Sequence, residues 1–143
     1  MTLVLDASAA LAWIFERHSP HEMTLAKRLL DDLESAAVMV PALWHVEVAN
    51  ALLVAERRRV ITEAQISAYL QRLSRLPIQT DPTSPAARQE GIVSLGRRLG
   101  LSAYDAAYLD LALRNDACLA TFDKKLIAAT RGVGAEVYGD IGD

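Results

Sequence analysis

A chain of 143 residues, 52% hydrophobic and 23% charged, is long enough for one domain with its own core and too apolar to remain disordered. Its single cysteine, Cys118, excludes an intrachain disulfide and fits a reducing compartment. The N-terminus has no basic-then-apolar leader and no apolar run approaches the ~20 residues of a membrane span, so a soluble, cytoplasmic protein is expected, with no membrane partner.

Leu3-Val4-Leu5 is a short apolar run ending at Asp6 and reads as a buried strand. A helix is predicted over 9–15, with Ser8 or Asp6 able to cap it. His18-Ser19-Pro20 interrupts the pattern, and helical spacing resumes over 22–34 at Leu25, Ala26, Leu29, Leu30 and Leu33. Val38-Met39-Val40 is the second strand, ended by Pro41. The stretch 43–58 predicts a helix apolar on most faces and hence largely buried. Thr62-Glu63-Ala64-Gln65 has capping-box spacing and opens a helix running to Leu73. Leu76-Pro77-Ile78-Gln79 predicts an edge strand, where proline is tolerated. Ser84-Pro85 marks a helix start, with Leu99 near its end and Gly100 as its stop. Ser102 opens the next helix, reaching about Arg114. A strand over 118–121, a short helix over 124–130 and a weak strand at Glu136-Val137-Tyr138 complete the chain.

Strands thus alternate with helices, and no repeat, low-complexity tract or linker interrupts them. The expected fold is α/β: one domain over 1–143, an α/β/α sandwich whose central, mostly parallel sheet has helices on both faces and right-handed crossovers.

In open sheets of this kind, sites form outside the carboxyl ends of the strands. Asp6 ends the first strand, and Asp123 comes just after the 118–121 strand. Glu47 lies about one turn into the helix after Pro41, and Asp105 lies in the first turn after Ser102. Each has a plain structural explanation as well. Asp6 could cap the first helix, Asp123 the 124–130 helix, and Asp105 stands at capping-box offset from Ser102. Glu47 could face solvent. However, its neighbours in Val46-Glu47-Val48-Ala49-Asn50-Ala51-Leu52 predict burial, and an ionised carboxylate buried without a partner is costly. Asn50, three residues on, shares its helix face.

Four carboxylates brought together would repel and raise one another's pKa values. A hard divalent cation removes that conflict, and all-oxygen sites select Mg²⁺ or Mn²⁺. No cysteine–histidine set supports zinc. His18 and His21 read as loop residues, and His45 as a helix-surface or packing residue. The formal charge of −3 argues mildly against a nucleic-acid partner. Setting the four acids aside leaves 14 acidic against 15 basic residues, about +1, so the remaining surface need not repel RNA.

At Val4-Leu5-Asp6-Ala7-Ser8, Val46-Glu47-Val48-Ala49-Asn50, Leu101-Ser102-Ala103-Tyr104-Asp105-Ala106-Ala107-Tyr108 and Ala120-Thr121-Phe122-Asp123-Lys124-Lys125-Leu126, the sequence resembles PIN-domain nucleases, specifically the VapC-type toxins of bacterial toxin–antitoxin pairs. Each stretch alone is weak; their order and spacing across the chain are specific. The resemblance implies endonucleolytic cleavage of RNA with Mg²⁺ or Mn²⁺ and, through it, inhibition of translation. It makes Asp6, Glu47, Asp105 and Asp123 both metal ligands and catalytic acids, with Ser8, Asn50 and Thr121 supporting them by hydrogen bonds. It further implies a homodimer and a small cognate VapB-type antitoxin lying in a groove that Trp13, Phe15 and Trp44 are candidates to line. Lys124, Lys125, Arg57-Arg58-Arg59 and Arg97-Arg98 are candidates to touch the RNA backbone, or are simply solvated helix ends. Asp110 stands apart, because five residues from Asp105 is about 140° around a helix.

Three other classes fit the residues less well. A phosphoacceptor receiver would want paired acids after the first strand, and Asp6 has no acidic neighbour. A haloacid-dehalogenase-type phosphatase would need an acid where Ser8 stands. A catalytically dead binding domain does not need four acids. No glycine-rich nucleotide loop is present.

Overall fold

The structure, a computed structural model, describes residues 1–17 and 19–140; His18, read above as a loop residue, lies outside them. Among the described residues, four strands, β1 (Thr2–Leu5), β2 (Ala37–Val40), β3 (Ile78–Thr80) and β4 (Cys118–Ala120), form one sheet in the order β3-β2-β1-β4, every pairing parallel. Beyond β4, Val137 adds a single parallel bridge to Leu119, all that forms of the weak last strand. β1 lies centrally, and Leu3, Val4 and Leu5 are fully buried, as an uninterrupted apolar triplet covered on both faces requires.

Seven helices among the described residues connect and cover the strands: α1 (Ala7–Leu11), α2 (Pro20–Asp32), α3 (Leu43–Arg57), α4 (Glu63–Ser74), α5 (Pro85–Leu99), α6 (Ala103–Arg114) and α7 (Lys124–Gly132). The mostly parallel sheet flanked by helices is the expected architecture. The Thr62–Gln65 capping box closes as its spacing predicts, with both reciprocal bonds made. Gly100 ends α5 in the left-handed conformation, φ 67°, which costs glycine nothing.

Three expectations change. α1 is shorter than predicted, stopping at Leu11 before a run of tight turns. The hydroxyl of Tyr69, from α4, donates to the Ala10 carbonyl, while the Ile14 N–H goes to Leu11 instead. The Ala10 carbonyl also accepts the Trp13 N–H at 3.2 Å, so the chain passes Leu11 in tight three-residue turns. α2 begins two residues before the predicted start, because Ser19 caps it through the Glu22 N–H and Pro20 takes the first helical position. That puts His21 in a helix rather than a loop. Finally, α3 is not buried all round. Trp44, Val48, Leu52 and Ala55 face the core, while Val46 and Leu53 are 71% and 45% exposed.

Candidate active site

Asp6 comes directly after the last residue of β1, and its N–H donates to the Ala120 carbonyl of β4 at 2.9 Å. This backbone bond fixes Asp6 between the carboxyl ends of β1 and β4. Asp6 occupies the cap position of α1, yet its side chain does not cap the helix. Instead, the Ser8 hydroxyl donates to Oδ2 at 2.6 Å, and the Thr121 hydroxyl donates to the same oxygen at 2.6 Å. Each hydroxyl has one proton, so the 3.3 Å approach between Ser8 and Thr121 is a contact and not a third bond. The two hydroxyls are held in turn from behind: Ser8 Oγ accepts the Phe122 N–H and Thr121 Oγ1 accepts the Asp123 N–H, each at 3.0 Å. The result is one carboxylate, 6% exposed, oriented by donors from both ends of the chain.

Glu47 projects from α3, half-buried, and accepts at Oε1 from the Tyr108 hydroxyl at 2.6 Å. Asp105 opens α6, where Ser102 Oγ accepts its backbone N–H at 3.1 Å. Asp123 is exposed and caps α7, accepting the Leu126 N–H at 2.9 Å. The capping explanation therefore fails for Asp6 and holds for Asp123, whose second carboxylate oxygen is not used by the cap.

Asp6, Glu47 and Asp105 each have their pKa raised, and other acids of the set contribute to each shift. Burial raises the pKa of Asp6 above the usual carboxylate range, and Asp123 raises it further. Glu47 is raised by burial and then by Asp6 and Asp105. Asp105 is raised by burial, then by Asp123 and Asp6, against a smaller lowering from Lys125. Acids from separate segments thus act on one another through space, Asp123 and Asp6 on Asp105, Asp123 on Asp6, and Asp6 and Asp105 on Glu47.

The donor chemistry is hard oxygen throughout, which suits Mg²⁺ or Mn²⁺. Among the described residues, no three ligating side chains stand close enough together to grip an ion as they are. Mg²⁺ does not need three, since it keeps several waters and is often held by one or two carboxylates plus phosphate oxygens. In chemistry the residues fit such an ion, as hard oxygen donors that include the buried, hydroxyl-bonded Asp6.

Ser8 and Thr121 support Asp6 as the sequence suggested. Asn50 does not support Glu47: it is exposed and makes no side-chain hydrogen bond among the described residues. Tyr108 takes that place, a role the sequence reading does not assign; its position one turn after Asp105, on the same helix face, is the available signal. It is fully buried, and burial, Glu47 and Asp6 hold its phenol far above its ordinary pKa. Asp110 belongs elsewhere, ion-paired with Arg88 at 2.6 Å and with Arg114 at 3.0 Å. Trp13, Phe15 and Trp44 do not share a groove. The Trp13 Nε1–H donates to the Ala26 carbonyl, Trp44 is a core residue, and only Phe15 lines the wide apolar groove of about 730 Å³ between the end of α1 and α3.

The family model described as PIN domain matches residues 3–132. No curated protein matches the chain. Among solved structures, the chain is similar to PAE2754 from Pyrobaculum aerophilum, with a TM-score of 0.68, 25% identity, and coverage of 92% of this chain and 81% of that one. FitAcB from Neisseria gonorrhoeae has a similar fold, with a TM-score of 0.61, 16% identity, and coverage of 95% and 96%.

Proposed function

This chain belongs to the PIN-domain family, and from that premise we propose that it is a Mg²⁺- or Mn²⁺-dependent endoribonuclease, the VapC-type toxin of a toxin–antitoxin pair, which inhibits translation by cutting RNA. PIN domains are generally nucleases, and those nucleases generally use divalent metal ions. The observation that carries the reading is Asp6, buried at the carboxyl end of β1 and oriented by two hydroxyls, with Glu47 and Asp105 close enough to feel its charge.

In this reading the four acids hold the ion, which when bound supplies activation of water and charge neutralisation at the phosphodiester. The protein's own groups set the geometry. Ser8 and Thr121 keep Asp6 in one rotamer, Tyr108 keeps Glu47 turned towards it, and the α7 cap anchors Asp123. Lys124 and Lys125 are exposed at the start of α7, and Lys125 already acts on Asp105 electrostatically, so this pair is placed to meet backbone phosphates.

The direct test is cleavage of RNA by the purified chain. Cutting in Mg²⁺ or Mn²⁺ is expected to stop in EDTA and to return with added metal. Release of phosphate from a small monoester, or labelling by a phosphodonor, would replace this reading with the phosphatase or the receiver.

Two partners go with the reading. The Phe15 groove, apolar and rimmed by Glu16 and Arg58, is the surface offered to a segment of the VapB-type antitoxin. A second copy of the chain is assigned to a groove of about 670 Å³ on α5 and α6, where Val93 and Tyr104 are 51% and 64% exposed. Glu90 and Arg97 flank it, two helical turns apart and without ion-pair partners among the described residues. A two-fold axis midway between them sets each Glu90 against Arg97 of the second copy. In sedimentation experiments Glu90→Arg should therefore shift the chain towards monomer, and Glu90→Arg with Arg97→Glu should restore the dimer. A single variant that dimerises like the parent rules this face out.

A further inference from the structure

Among the described residues, Glu47 has one side-chain hydrogen-bond donor, and that donor is not where a surface carboxylate usually finds one. Tyr108 is fully buried in the interior face of α6, one turn after Asp105, and its ring packs in the hydrophobic core. Only the hydroxyl matters for the site, and it reaches Glu47 Oε1 at 2.6 Å across 61 residues of sequence. The phenol therefore links the core face of α6 to the acid on α3.

We propose that Tyr108 is a positioning residue for the metal site: its hydroxyl pins one oxygen of Glu47 and sets the spacing between Glu47 and Asp6, leaving the other oxygen of Glu47 turned to the ion. This rests on the carboxylate site proposed above and adds the group that orders it. A glutamate has three rotatable side-chain bonds, and on a partly exposed helix face beside two other acids it would swing outward to water. A donor fixed in the core prevents that at small entropic cost, because a buried tyrosine has no rotamer freedom left to lose. Hydrogen-bonding partners behind ligating carboxylates typically govern metal affinity by about 10–100-fold. Asp6 and Glu47 are held from behind through hydroxyl groups, whereas Asp105 and Asp123 are anchored through their helix starts.

The test is Mn²⁺ binding monitored by the electron paramagnetic resonance of free Mn²⁺, which reads affinity without turnover. Tyr108→Phe removes one oxygen and keeps the ring. It is expected to weaken Mn²⁺ binding about tenfold, while circular dichroism remains that of the parent. In a Glu47→Gln background, already weakened, adding Tyr108→Phe should produce no further loss, because the hydroxyl acts through Glu47. Two outcomes overturn the proposal: Mn²⁺ affinity of Tyr108→Phe within twofold of the parent, or an equal additional loss in the Glu47→Gln background, which marks a purely structural tyrosine. The second comparison holds even if Tyr108→Phe lowers stability. Should Glu47→Gln itself leave Mn²⁺ binding unchanged, the carboxylate site fails and Tyr108 fails with it; weakening by Glu47→Gln alone leaves the site standing and removes only Tyr108.

Discussion

Asp6→Asn is expected to reduce metal-dependent RNA cleavage by about a thousandfold, the upper range for losing one preorganised charge, and at the same time to stabilise the metal-free protein at neutral pH. The first effect comes from position. Asp6 is the most buried of the four acids and the one whose side-chain oxygen is fixed by two hydroxyl donors. An asparagine can keep its carbonyl oxygen on Ser8 and Thr121, so the fold survives, but the amide brings neither charge nor a second acceptor to the site. The second effect comes from the direction of the shifts. Asp6, Glu47 and Asp105 all have folded pKa values above their ordinary ones, chiefly through burial and then through one another. A carboxyl raised in this way costs no stability below its unfolded pKa, and costs progressively more until pH passes the folded value. The metal-free parent should therefore lose stability as pH rises from about 4 towards neutrality, and Asp6→Asn should be spared its share. Thermal unfolding in EDTA at about pH 5 and about pH 7.5 should show the variant ahead by a margin that widens with pH. Saturating Mn²⁺ should then close the gap by stabilising the parent, by about 2.7 kcal/mol at 100 times Kd. A variant less stable than the parent in EDTA at neutral pH would mean that the Asp6 carboxylate is a structural acceptor, content between its hydroxyls.

The acids are legible in the sequence because chain topology places them. In a parallel sheet the residues just past each strand's carboxyl end gather on one side, and Asp6 and Asp123 come after two strands that are neighbours in the sheet. The features that escape the sequence depend on contacts between distant segments. The end of α1 is bonded at the Ala10 carbonyl by Tyr69, 59 residues further on, which no local pattern announces. Tyr108 reads as core because its ring is core; only the position of its oxygen makes it part of the site. The Ser19-Pro20 helix start is legible. It is the same dipeptide that marks α5 at Ser84-Pro85, and Ser19 makes the side-chain cap bond that Ser84 lacks. Apolar spacing that begins only at Leu25 hides it. The burial of α3 is overstated by its composition for a different reason. Apolar residues on every face suggest an interior helix, yet Val46 and Leu53 face outward on the helix that carries Glu47.

Asp110→Ala is expected to cost about 2–3 kcal/mol of stability at neutral pH, less than the roughly 3–5 kcal/mol of breaking a fully buried ion pair, because its two partners are partly solvated. Asp110 accepts Arg88 Nη2 at 2.6 Å and Arg88 Nε at 3.1 Å, and also accepts Arg114 Nε at 3.0 Å. Arg114 reaches on to Asp81, just after β3, at 2.7 Å. Removing Asp110 leaves two guanidinium groups facing each other, with Asp81 as the remaining acid. The pH sign is opposite to that of Asp6. Against the raising effect of burial, Asp110 is held below the usual carboxylate range by hydrogen bonds and charge from Arg88 and Arg114, and Asp81 by Arg114 and by hydrogen bonds from Thr83. Their contribution is complete above the unfolded pKa near 4 and disappears as pH falls through the lower folded value, so parent and variant should converge in acid. Unfolding curves that stay equally far apart there would contradict the ion-pair account. Asp105 and Asp110 lie five residues apart on α6, yet one has its pKa raised and the other lowered. The attraction at Asp110 ties α6 to α5 and to the loop after β3, and so holds the first turn of α6 in place while Asp105 is pushed away by Asp6 and Asp123. Asp110→Ala should accordingly weaken Mn²⁺ binding as well as stability, and a variant destabilised by the full amount with unchanged Mn²⁺ affinity would show that the two ends of the helix act independently.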